Sequence, residues 1–400
     1  YTIYENLSNN SFIFYGVGSK LFKINTIDGK PDEEFGNSGF IDLHVGLGEN
    51  SSSLYVSMTS PGVIFKNLII VGSRVSEGNP AAKGNIRAFN ANTGELVWVF
   101  KTIPEPEEKG YESYEDPDAY LRLGGANAWA GLTIDSKNGI LFAPTGSVSY
   151  DFYGGDRKGD NLFANSILAI NAESGERLWH YQTVHHDVWD RDLPAPPVIF
   201  NYKLKDSVIP ALAQVTKSGY TFLLNRITGE PIYDIVERTV PSVSSLTGEK
   251  LSKTQPTPTF PKPFSRQYLS NSDINPFVSE KEKDSLTKVY LSIIKDDIFS
   301  PPSEKGTLIF PGFDGGAEWG GPALDPIKNM LYVNSNEMPW ILTMRKISEN
   351  DSKPVSLYNK QCLMCHGIDF KGSGENPSII DMNKKYNYNE LRSIIYNGKG

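Results

Sequence analysis

Two stretches of the 400-residue chain concentrate groups able to do chemistry. His185 to Pro197, reading HHDVWDRDLPAPP, places two histidines, three aspartates, a tryptophan and three prolines in thirteen positions. Carboxylates so placed can accept a proton from a hydroxyl or ligate a hard cation. The plainer alternative is a polar turn whose Asp187, Asp190 and Asp192 cap backbone amides. The second stretch is CLMCH, containing the chain's two cysteines, Cys362 and Cys365, followed by His366. Two thioethers to haem vinyl groups and a proximal imidazole on iron are what this spacing serves. A CxxC pair also occurs in thioredoxin-like sites and in half zinc sites. Here no second cysteine pair or nearby histidine completes a zinc tetrahedron, and no βαβ pattern surrounds the motif.

The elements that must hold these groups are mostly strands. Leu178, Trp179, Tyr181 and Val184 carry a sheet-like bias before the first stretch, and Pro194, Pro196 and Pro197 forbid helix after it. The aspartates are therefore predicted on a stiff connection at a strand end, where ligand and catalytic groups usually lie. Elsewhere a pattern recurs: INTIDGKPDEEF, AFNANTGELVW, AINAESGERLW and LLNRITGEPIY, with glycines at 29, 94, 175 and 229. Each is a hairpin turn with glycine at positive φ and an aromatic residue further on. Many hairpins of this kind point to a β-propeller of five to seven 40–50-residue blades over residues 1–345, with a sandwich as the competing architecture. Residues 241–308 are rich in Ser, Pro, Thr and Lys and are predicted to be an irregular insertion containing a helix from Ser279 to Ile294. Residues 352–400 change to short helices and form a small all-α domain.

Composition sets outer limits. Aromatic content of 12%, with 36 glycines and 26 prolines, favours short strands and turns. A net charge of −8 without a basic run argues against a nucleic-acid partner. No run of eighteen apolar residues is present, so no transmembrane segment is expected. The opening YTIYENL has no signal-peptide pattern, and both ends read as cut from a longer protein.

The hairpin repeats, the segment FYGGDRKGDNLFANSILAINAESGERLWHYQTVHHDVWDRDLPAPP and the haem motif together resemble the quinoprotein dehydrogenases dependent on pyrroloquinoline quinone (PQQ). Both the membrane glucose dehydrogenase-like and the quinohaemoprotein alcohol dehydrogenase branches are similar. The resemblance implies an eight-bladed propeller, incomplete here, with PQQ and Ca²⁺ near its axis and a cytochrome c domain carrying haem c. It implies that Asp190 is the catalytic base and a metal ligand, with Asp192 its local rival. Lys217, in VTKSG, matches the cation on the reacting quinone oxygens, and Trp129, in NAWAG, the floor beneath the quinone. Thr59 and Ser76 match cofactor contacts, Glu77 an acidic metal ligand with Arg74 in the same loop, and Cys362, Cys365 and His366 the haem attachment. Two positions depart from the family: Ser147 stands where many members have a metal-ligating asparagine, and Glu318 where relatives have asparagine. A cofactor-binding arginine would precede Tyr1. The sixth haem ligand falls beyond Gly400, and Met382 is not assigned to it.

Each residue also has an ordinary reading. Trp129 and Trp319 could be propeller core, Lys217 a solvated hairpin charge, Glu77 a surface acid, and His185 and His186 hydrogen-bonded turn histidines. Their joint occurrence in family order favours the resemblance. It implies a periplasmic dehydrogenase oxidising a sugar or an alcohol, with electrons passing through haem to a cytochrome or quinone acceptor. The alternative is a non-enzymatic propeller for binding or electron transfer that carries haem c alone.

Overall fold

The computed structural model describes residues 1–346 except 7, 49, 205 and 206, and beyond them 354–355, 357–358, 362–367, 369–372 and 376–397. Residues Tyr1–Met344 form one compact unit and Arg345–Gly400 a second. The larger unit is built from antiparallel sheets. The first sheet is β1 (Thr2–Glu5), β2 (Ser11–Val17), β3 (Lys20–Asn25) and β4 (Phe40–Asp42), in that order. A two-residue strand, β5 (Val56–Ser57), precedes the second sheet, which begins with β6 (Val63–Phe65) and β7 (Leu68–Val71). Next, β8 (Arg74–Val75) pairs back to β5, and β9 (Ile86–Asn90) with β10 (Leu96–Phe100) completes the second sheet. The third is β11 (Thr133–Asp135), β12 (Ile140–Pro144), β13 (Ser166–Asn171) and β14 (Arg177–Gln182). Three strands make the fourth: β15 (Val198–Leu204), β16 (Ser207–Val215) and β17 (Thr221–Asn225). Two-stranded ladders follow: β18 (Ile235–Thr239) with β19 (Thr254–Pro258), β20 (Thr307–Ile309) with β23 (Trp340–Leu342), and β21 (Ala323–Asp325) with β22 (Met330–Tyr332).

Strands buried on both faces read as continuous apolar runs, and alternate residues feed two cores. In β7, Ile69 and Val71 join Phe12, Phe14 and Leu21 of the first sheet. Its neighbours Leu68 and Ile70 join Leu141, Ala143, Leu168 and Ile170 of the third. The third and fourth sheets meet likewise through Phe142, Ile167 and Ala169 against Leu212, Phe222 and Leu224. This is propeller packing, sheet on sheet.

The recurring turns supply the latch between sheets. In each, the Asn carbonyl accepts from the Gly amide four residues on: Asn25–Gly29, Asn90–Gly94, Asn171–Gly175 and Asn225–Gly229, at 2.8–2.9 Å. The glycines adopt φ between +69° and +79°, where a side chain would be strained. Trp98 Nε1 donates to Ala172 O at 3.3 Å, and Trp179 Nε1 to Arg226 O at 3.2 Å. A Cβ at Gly175 or Gly229 would sit 2.7 Å from the corresponding indole, so each glycine also makes room for the tryptophan of the preceding sheet.

Two expectations need adjustment. Within residues 1–345 the described sheets of three or more strands number four, and three ladders follow; long inserted loops such as 101–132 lengthen the repeat beyond 40–50 residues. The segment 241–308 is not irregular throughout, because Thr254–Pro258 pairs with β18 despite its two prolines. Its helix spans Glu280–Ser292, with Ser279 and Glu282 forming the capping box.

Candidate functional site

Asp187 organises the loop that presents the acids. Its Oδ1 accepts the Trp189 amide at 2.9 Å, and its Oδ2 accepts the Arg191 amide at 2.6 Å, the Ser147 hydroxyl at 2.5 Å and Asn165 Nδ2 at 2.8 Å. Trp189 is fully buried, donating from Nε1 to Ser300 O at 2.8 Å, and Arg191 is fully buried, donating to Pro311 O at 2.7 Å. Residues 189 and 191 are thus anchors. The alternate residues, Asp190 and Asp192, face a cavity of about 350 Å³.

That cavity brings together every residue of the larger unit named from the sequence as a cofactor or metal contact: Thr59, Ser76, Glu77, Trp129, Ser147, Asp190, Lys217 and Glu318. Lys217 stands on the turn between β16 and β17, which Gly219 closes at φ +82° by donating to Thr216 O. It is buried, and its Nζ lies 3.0 Å from both Asp190 oxygens, 3.9 Å from Glu318 Oε1 and 5.8 Å from the Trp129 ring centroid. Burial alone would lower the pKa of this ammonium, but Asp190, Asp192 and Glu318 outweigh it and the net shift is upward. The ordinary reading of a solvated charge does not hold.

Asp192 has a different task from its neighbour. Its Oδ1 accepts the Ser147 amide at 2.7 Å and the Ser147 hydroxyl at 3.0 Å, and its Oδ2 accepts Trp129 Nε1 at 2.7 Å. Gly146 permits this approach, since a Cβ there would sit 2.5 Å from Asp192 Oδ2. Asp192 therefore holds the tryptophan plate, while Asp190 has only Lys217 as a hydrogen-bonding side chain among the described residues. Trp129 O in turn accepts the hydroxyls of Thr59 at 2.9 Å and Ser60 at 2.8 Å. Ser60 Oγ also accepts Trp319 Nε1 at 3.0 Å, and Trp319 is more than half exposed on the cavity wall, not core as its ordinary reading had it.

Sequence reasoning passed over Asp151, Asn127 and Ser149, which also line the cavity. The available signal for Asp151 was an acid inside the aromatic run YDFYGG. Burial pushes the Asp151 carboxyl well up, and Asp190, Asp192 and Glu77 push it further. Asp190 is likewise raised by burial, with Lys217 opposing and Asp192 adding. Acids that raise one another mark a site short of positive charge, which a divalent cation would supply. Among the described residues no group of three or more His, Cys, Asp or Glu side chains is arranged to hold an ion unaided. A cation beside Glu77 and Asp190 would need oxygens from a bound ligand as well. Ser147 is a weak candidate ligand, because its hydroxyl is engaged by Asp187 and Asp192.

The two histidines of HHDVWD turn away from the cavity. His185 meets Gln182 Oε1 at 2.7 Å and Glu237 at 3.3 Å. His186 is buried between Gly159 O and Glu249 Oε1, each at 2.7 Å. Both stitch the β18–β19 region to the loop and match their ordinary reading.

In the smaller unit, Leu363–His366 forms a helical turn, with the His366 amide donating to Cys362 O at 2.9 Å. His366 Nδ1 lies 2.9 Å from Pro377 O. An Nδ1–H held by that carbonyl leaves Nε2 with its lone pair for iron. The side chain of Cys365 lies outside the described residues.

Residues 4–372 match the family model described as PQQ glucose/ethanol/alcohol dehydrogenase, beta-propeller domain. The chain belongs to this PQQ dehydrogenase family. Residues 355–400 of this family member match the cytochrome c model. Among curated proteins, the quinate/shikimate dehydrogenase (quinone) of Acinetobacter baylyi is 33% identical over 84% of this chain and 41% of its own length. The quinoprotein glucose dehydrogenase of Escherichia coli is 32% identical over 80% of this chain and 40% of its own length. The chain thus spans about 40% of the length of these relatives. Among solved structures, the quinohemoprotein alcohol dehydrogenase from Comamonas testosteroni superposes with a TM-score of 0.58 at 20% identity, covering 84% of this chain and 43% of that one. The propeller fold and the family's quinone fit the tryptophan plate and the buried lysine, and the haem c of the cytochrome c match fits the His366 Nδ1 contact. The short supply of positive charge fits the family's divalent cation.

Proposed function

We propose that the protein is a quinohaemoprotein dehydrogenase acting on CH–OH donors, a sugar or an alcohol, outside the cytoplasm. Among the described residues no helix is long and apolar enough to cross a membrane. The observation that carries the reading is the Asp190–Lys217 pair, 3.0 Å apart inside a cavity floored by Trp129. When bound there, PQQ with its cation supplies the two-electron acceptor, and haem c the one-electron relay.

Asp190 is the base that takes the substrate hydroxyl proton. Lys217 holds Asp190 oriented and carries the positive charge that meets oxyanion character as it develops. Asp192 fixes the face of Trp129 against which a planar cofactor would lie. Glu77 and Asp190 are the carboxylates that would hold a cation, and Cys362, Cys365 and His366 would hold the haem. The relatives' names span a sugar, glycerol and a hydroxy acid, and each is a CH–OH donor. A cytochrome or a quinone would accept the electrons.

The test is the protein loaded with PQQ and Ca²⁺, given glucose or ethanol, with haem reduction followed by absorbance. Reduction that requires PQQ and disappears in Asp190→Asn is expected. Retained reduction in that variant, or none with any sugar or alcohol, would overturn the assignment.

A further inference from the structure

Five carboxylates line the cavity, Glu77, Asp151, Asp190, Asp192 and Glu318, against two cations, Arg74 and Lys217. Both cations are engaged. Arg74 Nη2 lies 3.0 Å from Glu77 Oε1, and Lys217 Nζ lies 3.0 Å from Asp190. A substrate carrying a carboxylate would meet no uncommitted cation among the described lining residues. It would also add like charge to a partly enclosed space where water screens poorly. A divalent cation held beside Glu77 and Asp190 would be shared with the quinone, itself a polyanion, and so would not be left uncommitted either.

Among these acids Glu318 is distinctive. Asp151, Asp190 and Asp192 are buried or nearly so, and Glu77 is neutralised by Arg74. Glu318 is 39% exposed, and its nearest cation, Lys217, is 3.9 Å away and already shared with Asp190. Its Oε2 accepts the Trp319 amide at 3.0 Å, which fixes the carboxylate beside the exposed indole. An incoming ligand therefore meets this charge on the solvent side of the reacting pair.

We propose that Glu318 is a specificity-determining residue whose charge excludes hydroxy-acid anions and leaves the cavity to uncharged polyhydric alcohols and sugars. The proposal rests on the dehydrogenase reading above and names its substrate class. The matched substrates are glycerol and glycerate, compared by kcat/KM for haem reduction in the full chain loaded with PQQ and Ca²⁺. The wild type is expected to favour glycerol, Glu318→Gln to reduce that preference about tenfold, and Glu318→Asp to restore it. A second readout needs no turnover: quenching of the exposed Trp319 by iodide and by acrylamide, in which only the curve of the anionic iodide should shift in Glu318→Gln. Equal use of glycerate by the wild type, or an unmoved ratio in Glu318→Gln, overturns the proposal. If no sugar or alcohol reduces haem while the iodide curve shifts, the dehydrogenase reading fails and the charge rule stands.

Discussion

Behind the cavity, Asp187 accepts four hydrogen bonds from Trp189, Arg191, Ser147 and Asn165. At the cavity wall, Glu77 is 46% exposed and its ion pair is with Arg74, itself half exposed. The first carboxylate is fixed by several elements at once. The second is held by one flexible partner three residues away, an arrangement worth little in water. Positioning is concentrated behind Asp190, whereas charge at the wall is left adjustable by ligands. Four substitutions separate these two regimes.

Asp187→Ala should have the largest effect. It leaves the Trp189 and Arg191 amides without their acceptor inside the fold, and reduces the Ser147 hydroxyl to Asp192 and the Asn165 side-chain amide to the longer contact with Ser147. A loss of roughly 3–5 kcal/mol is expected in urea unfolding. Substrate-dependent haem reduction should be lost with it, because the loop no longer aims Asp190. A loss below about 1 kcal/mol would mean that the Trp189 and Arg191 anchors suffice alone.

Lys217→Met separates chemistry from stability. The buried Asp190 can become neutral once its cation is gone, so unfolding should change much less than in Asp187→Ala. The haem-reduction rate at saturating substrate should fall about 10²–10³-fold. A rate within threefold of the wild type would remove Lys217 from the proposed chemistry.

The local parts of this molecule were legible in the sequence and the assembled parts were not. Asn25, Asn90, Asn171 and Asn225 build their turns with residues two to four positions away, so the motif alone specified them. The strand β19 was hidden because Pro256 and Pro258 argue against pairing, yet it forms at a ladder with one partner, where missing amides cost little. The division of labour between Asp190 and Asp192 was equally hidden. The two lie two residues apart in similar surroundings, and what distinguishes them is Ser147, forty-five positions from Asp192, and Trp129, sixty-three positions from it. His185 and His186 were prominent in the sequence, but their partners Glu237 and Glu249 lie fifty-two and sixty-three residues on and draw them out of the site.

Glu249 provides a pH test of the interior regime. Burial pushes its carboxyl up, but the hydrogen bond and charge of His186, the Gly154 amide and Arg157 together pull it below the ordinary 4.5. A carboxyl whose folded pKa is depressed contributes stability above its unfolded pKa, and that contribution is lost as pH falls through the folded value. Wild type should therefore exceed Glu249→Gln by about 1–3 kcal/mol in urea unfolding near pH 7, with the gap closing below pH 4.5. A gap independent of pH would assign the pair's effect to packing.

Glu77→Gln should have the smallest effect on the fold and thereby sharpens the contrast. Its ion pair with Arg74 is half exposed at both ends, so unfolding in the absence of added cation should shift by less than about 1 kcal/mol. Cation dependence should respond far more. Glu77 is a half-exposed carboxylate on the wall of the cavity that Asp151 and Asp190 also line. Without it, the Ca²⁺ concentration needed for half-maximal PQQ retention should rise about tenfold. If retention were unchanged while stability fell by several kcal/mol, Glu77 would belong with Asp187 as a structural acid. The cation would then have to be held by Asp190 and the cofactor without help from the cavity wall.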